Sequence, residues 1–491
     1  MVVGELAEPV DVLVVGGGPG GYAAAVRAAQ LGRAVTLVER GGNAGLGGCC
    51  LHVGCIPSKA LIELAEGRHR LGTHRTFGLE VGETTVDMAR FQEAKGTLVA
   101  NLARGVAGLM AAHGVSVLHG EARLSRADRA AVQTTDGNMT YLEFRDAVIA
   151  TGSRAAELPG LPFDDSRVID STGLLALDQL PSRLLVVGAG VIGIELGMAL
   201  AKLGTRVTLV EARERILPEF DAVLSEPVTR RLRELEIEVL LNSQVLGLED
   251  QELVVHSSAG ERRLPADHVL VAIGRRPNSD GLGLELAGIE IDERGIIDVG
   301  ADLRATPHIA AIGDLVAGPA LAHKAIHQGQ VAAESLCGQP AAFAPLGIPQ
   351  IVFSDPEIAT VGLSEGDARA AGLDVAIASF PFSASGRALT MGVDRGFTRL
   401  IADRATDRIV GVQIVGPHAS ELIAEGTLAV EMIASPADLA ETIHAHPTLS
   451  ESLGEAALLL DGRPLHLRPA SKQSKSGRAN NRASLAAEAH A

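Results

Sequence analysis

Apolar and polar positions along the chain fall into two nearly superimposable patterns. Residues 11–39 read DVLVVGGGPGGYAAAVRAAQLGRAVTLVE and residues 183–211 read RLLVVGAGVIGIELGMALAKLGTRVTLVE, aligned without a gap at an offset of 172. Each begins with a short apolar run rich in valine, which predicts a strand. Each then passes through Gly-x-Gly-x-x-Gly, continues as a helix of small residues, and ends in the strand VTLVE. Further apolar strands closing on a glycine turn stand at VIATGS (148–153), VLVAIGRRPN (269–278) and IAAIGDL (309–315). The turn residues of SRADRAAVQTTDGNMTYLEF (125–144) predict a hairpin, and the helical period of LVANLARGVAGLMAAHG (98–114) predicts a core-packing helix.

The repeated unit has a specific physical use. Its first glycine makes the tight turn after the strand, and its second lets backbone amides approach a pyrophosphate. Its third lets the helix pack closely on the strand, with the helix N-terminus facing the negative charge. These are Gly16, Gly18 and Gly21 in the first copy and Gly188, Gly190 and Gly193 in the second. The acids that close the second strands, Glu39 and Glu211, are placed to accept hydrogen bonds from a ribose. One such motif often marks only a turn, but two full copies, each with its acid, imply two dinucleotides. Asp314, after the strand-ending Gly313, can bond a polyol hydroxyl or simply cap its turn.

Length and composition narrow the class. A chain of 491 residues implies two to four domains, and 46% hydrophobic with 21% charged residues fits a soluble globular protein. The longest apolar runs, such as LLVVGAGVIGIEL, are interrupted by glycines and a carboxylate, so no stretch reads as a membrane span. The N-terminus has no basic region before its apolar run, so a cytoplasmic location is expected. A net charge of −17 argues against sequence-independent nucleic-acid binding, which needs a basic surface.

Three of the four cysteines fall in GGCCLHVGCIPSKAL (47–61). A close pair in a reducing compartment is more often catalytic or metal-binding than a structural staple. Zinc lacks ligands here, because Cys337 is remote and no second Cys-x-x-Cys or spaced histidine pair occurs. A redox pair is the better reading.

The ordered set GGGPGGYAAA, CLHVGCIPSKAL, ATGS, GVIGIELG, GRRPN, AIGD, DPEIATVG and HAHPTLSE spans about Asp11 to Leu465. In this set the chain resembles the disulfide-reductase family of pyridine-nucleotide flavoenzymes, and within it the dihydrolipoyl dehydrogenase branch. The resemblance implies an α/β fold with two Rossmann-like dinucleotide-binding domains, for FAD and NAD, and a C-terminal α+β dimerisation domain. The expected limits are 1–155 for the FAD domain and 156–278 for the NAD domain. A central segment, 279–345, completes the FAD site, an interface domain covers 346–465, and 466–491 form a disordered tail.

By the same resemblance Cys50 and Cys55 form the redox-active disulfide, with Cys55 beside the flavin and Cys50 exchanging with substrate sulfur. Lys59 and Glu195 match a lysine–carboxylate pair near the flavin. His446 matches the base that deprotonates the substrate thiol, and Glu451 its partner, which fixes the imidazole tautomer. His444 is read as a packing residue. FAD falls to Gly16, Gly18, Gly21, Glu39, Lys59, Thr151, Gly152, Gly313 and Asp314. The second nucleotide falls to Gly188, Gly190, Gly193, Glu211 and Gly274. Glu211 repels a 2′-phosphate and so favours NAD over NADP, with Arg213 and Arg215 read as surface charges.

The implied reaction is oxidation of protein-bound dihydrolipoamide with reduction of NAD. The implied partners are a lipoyl domain of an acyltransferase component and a second copy of this chain, with no nucleic acid, membrane or metal. Two departures stand out, since Cys49 and His52 occupy positions where the family usually has Thr and Asn. Cys49 is expected to be a buried, inert thiol, and His52 either lowers a thiol pKa or replaces the amide's hydrogen bond. The alternatives are another FAD-dependent disulfide reductase and a non-catalytic flavoprotein assembly subunit. The absence of an additional C-terminal cysteine pair disfavours mercuric reductase, Glu211 disfavours glutathione reductase, and the intact Cys50/Cys55 pair disfavours the transhydrogenases.

Overall fold

The valine-rich run of the first repeat forms the strand Glu8–Val15, which sits at the centre of a seven-stranded sheet. It pairs in parallel with Val35–Glu39 on one side and Met139–Ile149 on the other, placing Val12 opposite Val35 and Val15 opposite Ile149. Ser116–Arg126 and Ile309–Ala311 extend the parallel array outward. Both faces are covered, so Leu13 and Val14 are fully buried and the strand has no polar alternation. The structure, a computed structural model, describes residues 7–73, 77–163, 166–249 and 252–467.

The helix of the first repeat, Pro19–Gln30, packs against Ala322–Leu336. Two glycines allow this contact, because a Cβ on Gly329 would come within 2.4 Å of the Gly20 carbonyl oxygen. The later helix thereby brings Gly313 and Asp314 to the sheet of the first repeat, and Gln328 accepts a 2.8 Å bond from the Gly313 amide.

The second repeat builds the same topology again. Arg183–Val187 lies between Arg206–Val210 and His268–Val271, with Glu238–Leu240 and Val168–Ile169 outside them, all parallel. Both copies insert antiparallel structure between their third and fourth parallel strands, one strand in the first copy and the three strands Gln244–Glu249, Glu252–Ser257 and Gly260–Pro265 in the second. In the first copy this gives the expected hairpin, in which Arg129–Thr134 runs antiparallel to both Ser116–Arg126 and Met139–Ile149. The second copy enters and leaves through a narrow ribbon in which Ser153–Ala155 pairs with Arg275–Pro277.

The chain divides into two compact units after Ile358. In the second, strands Val375–Pro381, Phe397–Asp403 and Arg408–Gly416 run antiparallel, and helix Glu451–Leu460 lies on the first two. Ser452 and Leu453 of that helix are buried, and the Ser452 hydroxyl shares a 2.7 Å hydrogen bond with Thr398.

Three expectations change in detail. The helical run 98–114 forms the second half of helix Met88–Ala112 and its C-terminal turn, but only Ala103 and Met110 of that run are buried, and Leu98, Leu102 and Leu109 face outward. Its period reports a helix whose second apolar face has no cover among the described residues. By length and composition one run, Gly48–Gly72, is apolar enough to cross a membrane, where none was expected. Its polar groups have partners in helix Val191–Lys202, because Lys202 bonds Glu66 at 2.5 Å and Arg68 donates to the Lys202 carbonyl at 2.6 Å. At the other end of the chain, His466 bonds Glu455 at 2.7 Å, and the tail from residue 468 lies outside the described residues.

The glycine geometry separates the two nucleotide sites experimentally. A Cβ at Gly21 would sit 1.8 Å from the Gly16 oxygen, and one at Gly193 would sit 2.0 Å from the Gly188 oxygen. Gly21→Ala is expected to lose flavin, read as absorbance after gel filtration. Gly193→Ala keeps its flavin and raises KM for NAD about 10-fold or more, within the range by which small misplacements impair a site. Equal flavin loss in both variants would contradict the division of the two sites.

Candidate active site

The two glycine cradles match in detail. Gly16 and Gly188 take φ of +99° and +102°, a conformation that favours glycine, and deliver the chain into its helix. Gly18 and Gly190 face open space, with nothing within 4 Å of an added Cβ. A phosphate can therefore approach the backbone at both turns. The acids brace the same loops. Glu39 accepts from the amides of Gly17 at 2.7 Å and Gly41 at 3.1 Å, and Glu211 from Ala189 at 2.8 Å and Arg213 at 2.9 Å. Each carboxylate oxygen retains a lone pair for a ribose hydroxyl, so both cradles suit a dinucleotide. Arg215 is no free surface charge, because its guanidinium donates to the carbonyls of Leu217, Pro218 and Phe220.

Between the cradles the ribbon collects several predicted residues. Thr151 donates to the Asn278 carbonyl at 2.8 Å, and the Asn278 side chain returns a 3.0 Å bond to the Thr151 carbonyl. Gly152 and Gly274 have φ of +69° and +136°, which let the chain turn into and out of the ribbon. Ser153 donates to Asp314 and receives a 2.7 Å bond from Arg275.

Cys49, Cys50 and Cys55 lie on two successive helices, Gly48–His52 and Cys55–Thr73. Among the described residues all four cysteines are free thiols. The interaction between the Cys50 and Cys55 thiols sets their acidities apart, lowering Cys55 and raising Cys50. That interaction lowers the Cys55 pKa to about 7, and the nearby Lys59 ammonium adds to the effect against the cost of burial. The same interaction, with burial, holds Cys50 far above the ordinary thiol range.

Lys59 is itself fixed on two sides. Its ammonium is 2.7 Å from Glu195 Oε2 and 4.4 Å from the centroid of the Phe353 ring. The second Glu195 oxygen accepts from the Phe353 amide at 2.9 Å, so the nearly buried carboxylate is satisfied at both ends. Phe353 carries no sequence signal for this part, since it acts through its backbone amide and ring face.

Cys49 departs from the expectation of burial. It is exposed, and its Sγ lies 3.5 Å from the Arg275 guanidinium. Arg275 was legible only as part of the GRRPN motif. His52 donates from Nε2 to the Leu46 carbonyl at 2.9 Å, which makes it a brace of the preceding loop.

His446 and Glu451 come together in the second unit. His446 Nδ1 is 2.8 Å from Glu451 Oε1, while the Thr448 amide donates to Oε2 at 2.7 Å. Burial opposes ionisation of Glu451, but the Thr448 amide and the His446 ring outweigh it and hold the carboxyl below its usual range. With Nδ1–H donated to Glu451, Nε2 is left as the basic nitrogen, and the side chain is 77% exposed to meet a partner.

Duplicate nucleotide cradles, a polarised dithiol and an antiparallel second unit define a flavin-linked disulfide reductase architecture. The chain belongs to the pyridine nucleotide-disulphide oxidoreductase family, matched over residues 10–329, with that family's dimerisation domain matched over 348–457. It is 46% identical over 472 residues to the dihydrolipoyl dehydrogenase of Geobacillus stearothermophilus, covering 95% of this chain and 99% of that one. It is 45% identical to the enzyme of the same name from Pseudomonas aeruginosa, covering 93% and 98%. Among solved structures, LpdA of Mycobacterium tuberculosis superimposes with a TM-score of 0.85 at 30% identity, covering 92% of this chain and 100% of that one.

The cation beside Cys55 has a measurable consequence. Lys59 favours the thiolate, so Lys59→Met is expected to raise the Cys55 pKa and move its ionisation to higher pH. The check is the pH dependence of alkylation at Cys55 in the reduced protein, followed by mass mapping. An unchanged midpoint would show that Lys59 does not act on the thiol.

Proposed function

We propose that this chain oxidises protein-bound dihydrolipoamide to lipoamide and reduces NAD+, as the flavoprotein of a 2-oxoacid or acetoin dehydrogenase complex in the cytoplasm. The observation that carries the reading is that one chain holds both a polarised Cys50–Cys55 dithiol beside Lys59 and an exposed, hydrogen-bonded His446–Glu451 couple. Gly16, Gly18, Gly21, Glu39, Lys59, Thr151, Gly152, Gly313 and Asp314 would hold FAD, and Gly188, Gly190, Gly193, Glu211 and Gly274 would hold NAD. FAD, when bound, carries the electron pair from the dithiol to NAD+ as hydride.

The residues divide the work as follows. In the oxidised enzyme Cys50 and Cys55 are joined. His446 Nε2 takes the proton of one substrate thiol, and the resulting thiolate attacks Cys50 Sγ. The Cys50–Cys55 bond breaks and its electron pair leaves on Cys55, where the Lys59 ammonium favours the thiolate. The second substrate thiol then attacks the sulfur bound to Cys50, which closes lipoamide and leaves Cys50 as the protonated thiol. Two electrons and one proton rest on the cysteine pair, and the second proton is held on the His446 imidazolium, stabilised by Glu451. Glu211 sets the choice of NAD, since its carboxylate repels a 2′-phosphate.

Purified protein that is yellow and reduces NAD+ with dihydrolipoamide supports this reading, and flavin-containing protein without that activity refutes it. His446→Gln is expected to slow dihydrolipoamide oxidation by about 100-fold or more, the usual worth of a general base, with flavin retained. A nearly normal His446→Gln enzyme would show that another group takes the proton.

In this reading His446 serves the cysteine pair of a second copy, consistent with the dimerisation-domain match over the stretch that carries it. Heterodimers of a Cys50→Ser chain with a His446→Gln chain are expected to recover roughly a quarter to a half of wild-type activity, because one of two sites holds both intact groups. No recovery in verified heterodimers would mean that one chain supplies both groups.

A further inference from the structure

We infer that His444, paired with Glu425, is a positioning residue for thiol oxidation, pinning the exposed loop that carries His446 so that the base stays aligned on Glu451. The inference rests on the proposed reaction, but the geometry behind it lies entirely within the second unit.

Other ties of the loop are exposed hydrogen bonds, from Arg463 to Glu441 at 2.8 Å and from the Thr448 hydroxyl to the Ala445 carbonyl at 2.6 Å. From Glu441 to Pro447 every residue except His444 is exposed, and Ile443 is 96% exposed. The His446 side chain is 77% exposed, whereas that of His444 is 10% exposed. A base so exposed takes its orientation from Glu451 and from the backbone it hangs on. That backbone is anchored two residues earlier.

The His444 ring is bound on three sides. Nε2 lies 2.8 Å from Glu425 Oε1 on helix Ala419–Glu431, and Nδ1 lies 3.0 Å from the Thr442 carbonyl. Both partners accept hydrogen bonds, so the protonated ring satisfies both at once. The Glu425 bond foremost, with help from the Thr442 carbonyl and the charge of Glu451, raises the His444 pKa against the opposing cost of burial. The third side is Gly454, where an added Cβ would come within 2.9 Å of Nδ1. Gly454 lies three residues beyond Glu451 on one helix, so the two positions are neighbours on its surface. His444 thus ties its loop both to the helix of Glu425 and to the first turn of the helix that presents Glu451.

The two histidines therefore have different duties despite their spacing. His446 pairs through one nitrogen and keeps the other for substrate. His444 uses both nitrogens in fixed bonds and has none for proton transfer. Releasing it frees the loop to shift by a fraction of an ångström to an ångström at His446, enough to impair a reaction that depends on alignment.

The test compares His444→Gln and Glu425→Gln with the wild-type holoenzyme in two reactions. One is oxidation of dihydrolipoamide by NAD+, which uses the base. The other is reduction of ferricyanide by NADH, which needs the flavin but not the base. Each variant is expected to lose about 10-fold in kcat/KM for dihydrolipoamide, well short of the His446→Gln loss, while ferricyanide reduction and flavin content stay unchanged. The double variant His444→Gln/His446→Gln should be no slower than His446→Gln alone, because a misaligned base cannot matter once the base is gone. Wild-type dihydrolipoamide oxidation in both single variants, or a parallel loss of ferricyanide reduction and flavin, overturns the inference. If His444→Gln does not fold, Glu425→Gln alone decides by the same criteria. Wild-type protein that reduces ferricyanide but never oxidises dihydrolipoamide would instead refute the proposed function, an outcome seen before any variant is made.

Discussion

One ion pair joins the parts on which the chemistry depends. Lys59 comes from the cysteine-bearing helix and Glu195 from the helix of the second nucleotide cradle, 136 residues later. Glu195 is nearly buried, and a carboxylate in that position is costly unless both oxygens are satisfied. Lys59 and the Phe353 amide meet that demand, and the Phe353 ring faces the ammonium. The cation that favours the Cys55 thiolate is thus held in place by a buried charge that needs it.

A second set of charges supports the first. Lys202, at the end of the Glu195 helix, bonds Glu66 and Asp355, and Arg231 bonds the same Asp355 at 2.8 Å. These contacts fasten the C-terminal half of the cysteine helix to the second cradle. Each strand–glycine–helix turn needs backbones in contact, as between Gly21 and Gly16, and tolerates no drift in the helices that start there. Rigid cradles joined by paired charges give a fixed frame for the thiols.

The second unit meets a different requirement. In the proposed reaction the base meets its substrate at the surface and has to be accessible, and accessible loops are poorly fixed. The loop 441–447 answers with a single embedded residue, His444, and with a helix whose start is held down by Ser452 and Leu453. Glu451 completes the arrangement by accepting from both Thr448 and His446.

Much of this was legible in the order of residues, because its causes are local. Strand, glycine turn, helix and closing acid are neighbours in the chain, so Gly16, Gly21, Gly188 and Gly193 announced two nucleotide cradles from spacing alone. The Cys50–Cys55 interval and the His446–Glu451 interval are likewise short. Other features depend on partners distant in sequence. Phe353 reaches Glu195 across 158 residues and Arg275 reaches Cys49 across 226, and no pattern of spacing encodes either contact. The same holds for the outward-facing Leu98, Leu102 and Leu109, since a helical period shows which residues share a face and not whether another element covers it. The sequence by itself determined the two glycine turns with their closing acids and the close spacing of Cys50 with Cys55 and of His446 with Glu451, because bond lengths and backbone geometry bind near neighbours. Only the tertiary structure decided which buried charge holds Lys59 and which histidine holds the loop, because burial and long-range pairing arise only once the chain has packed.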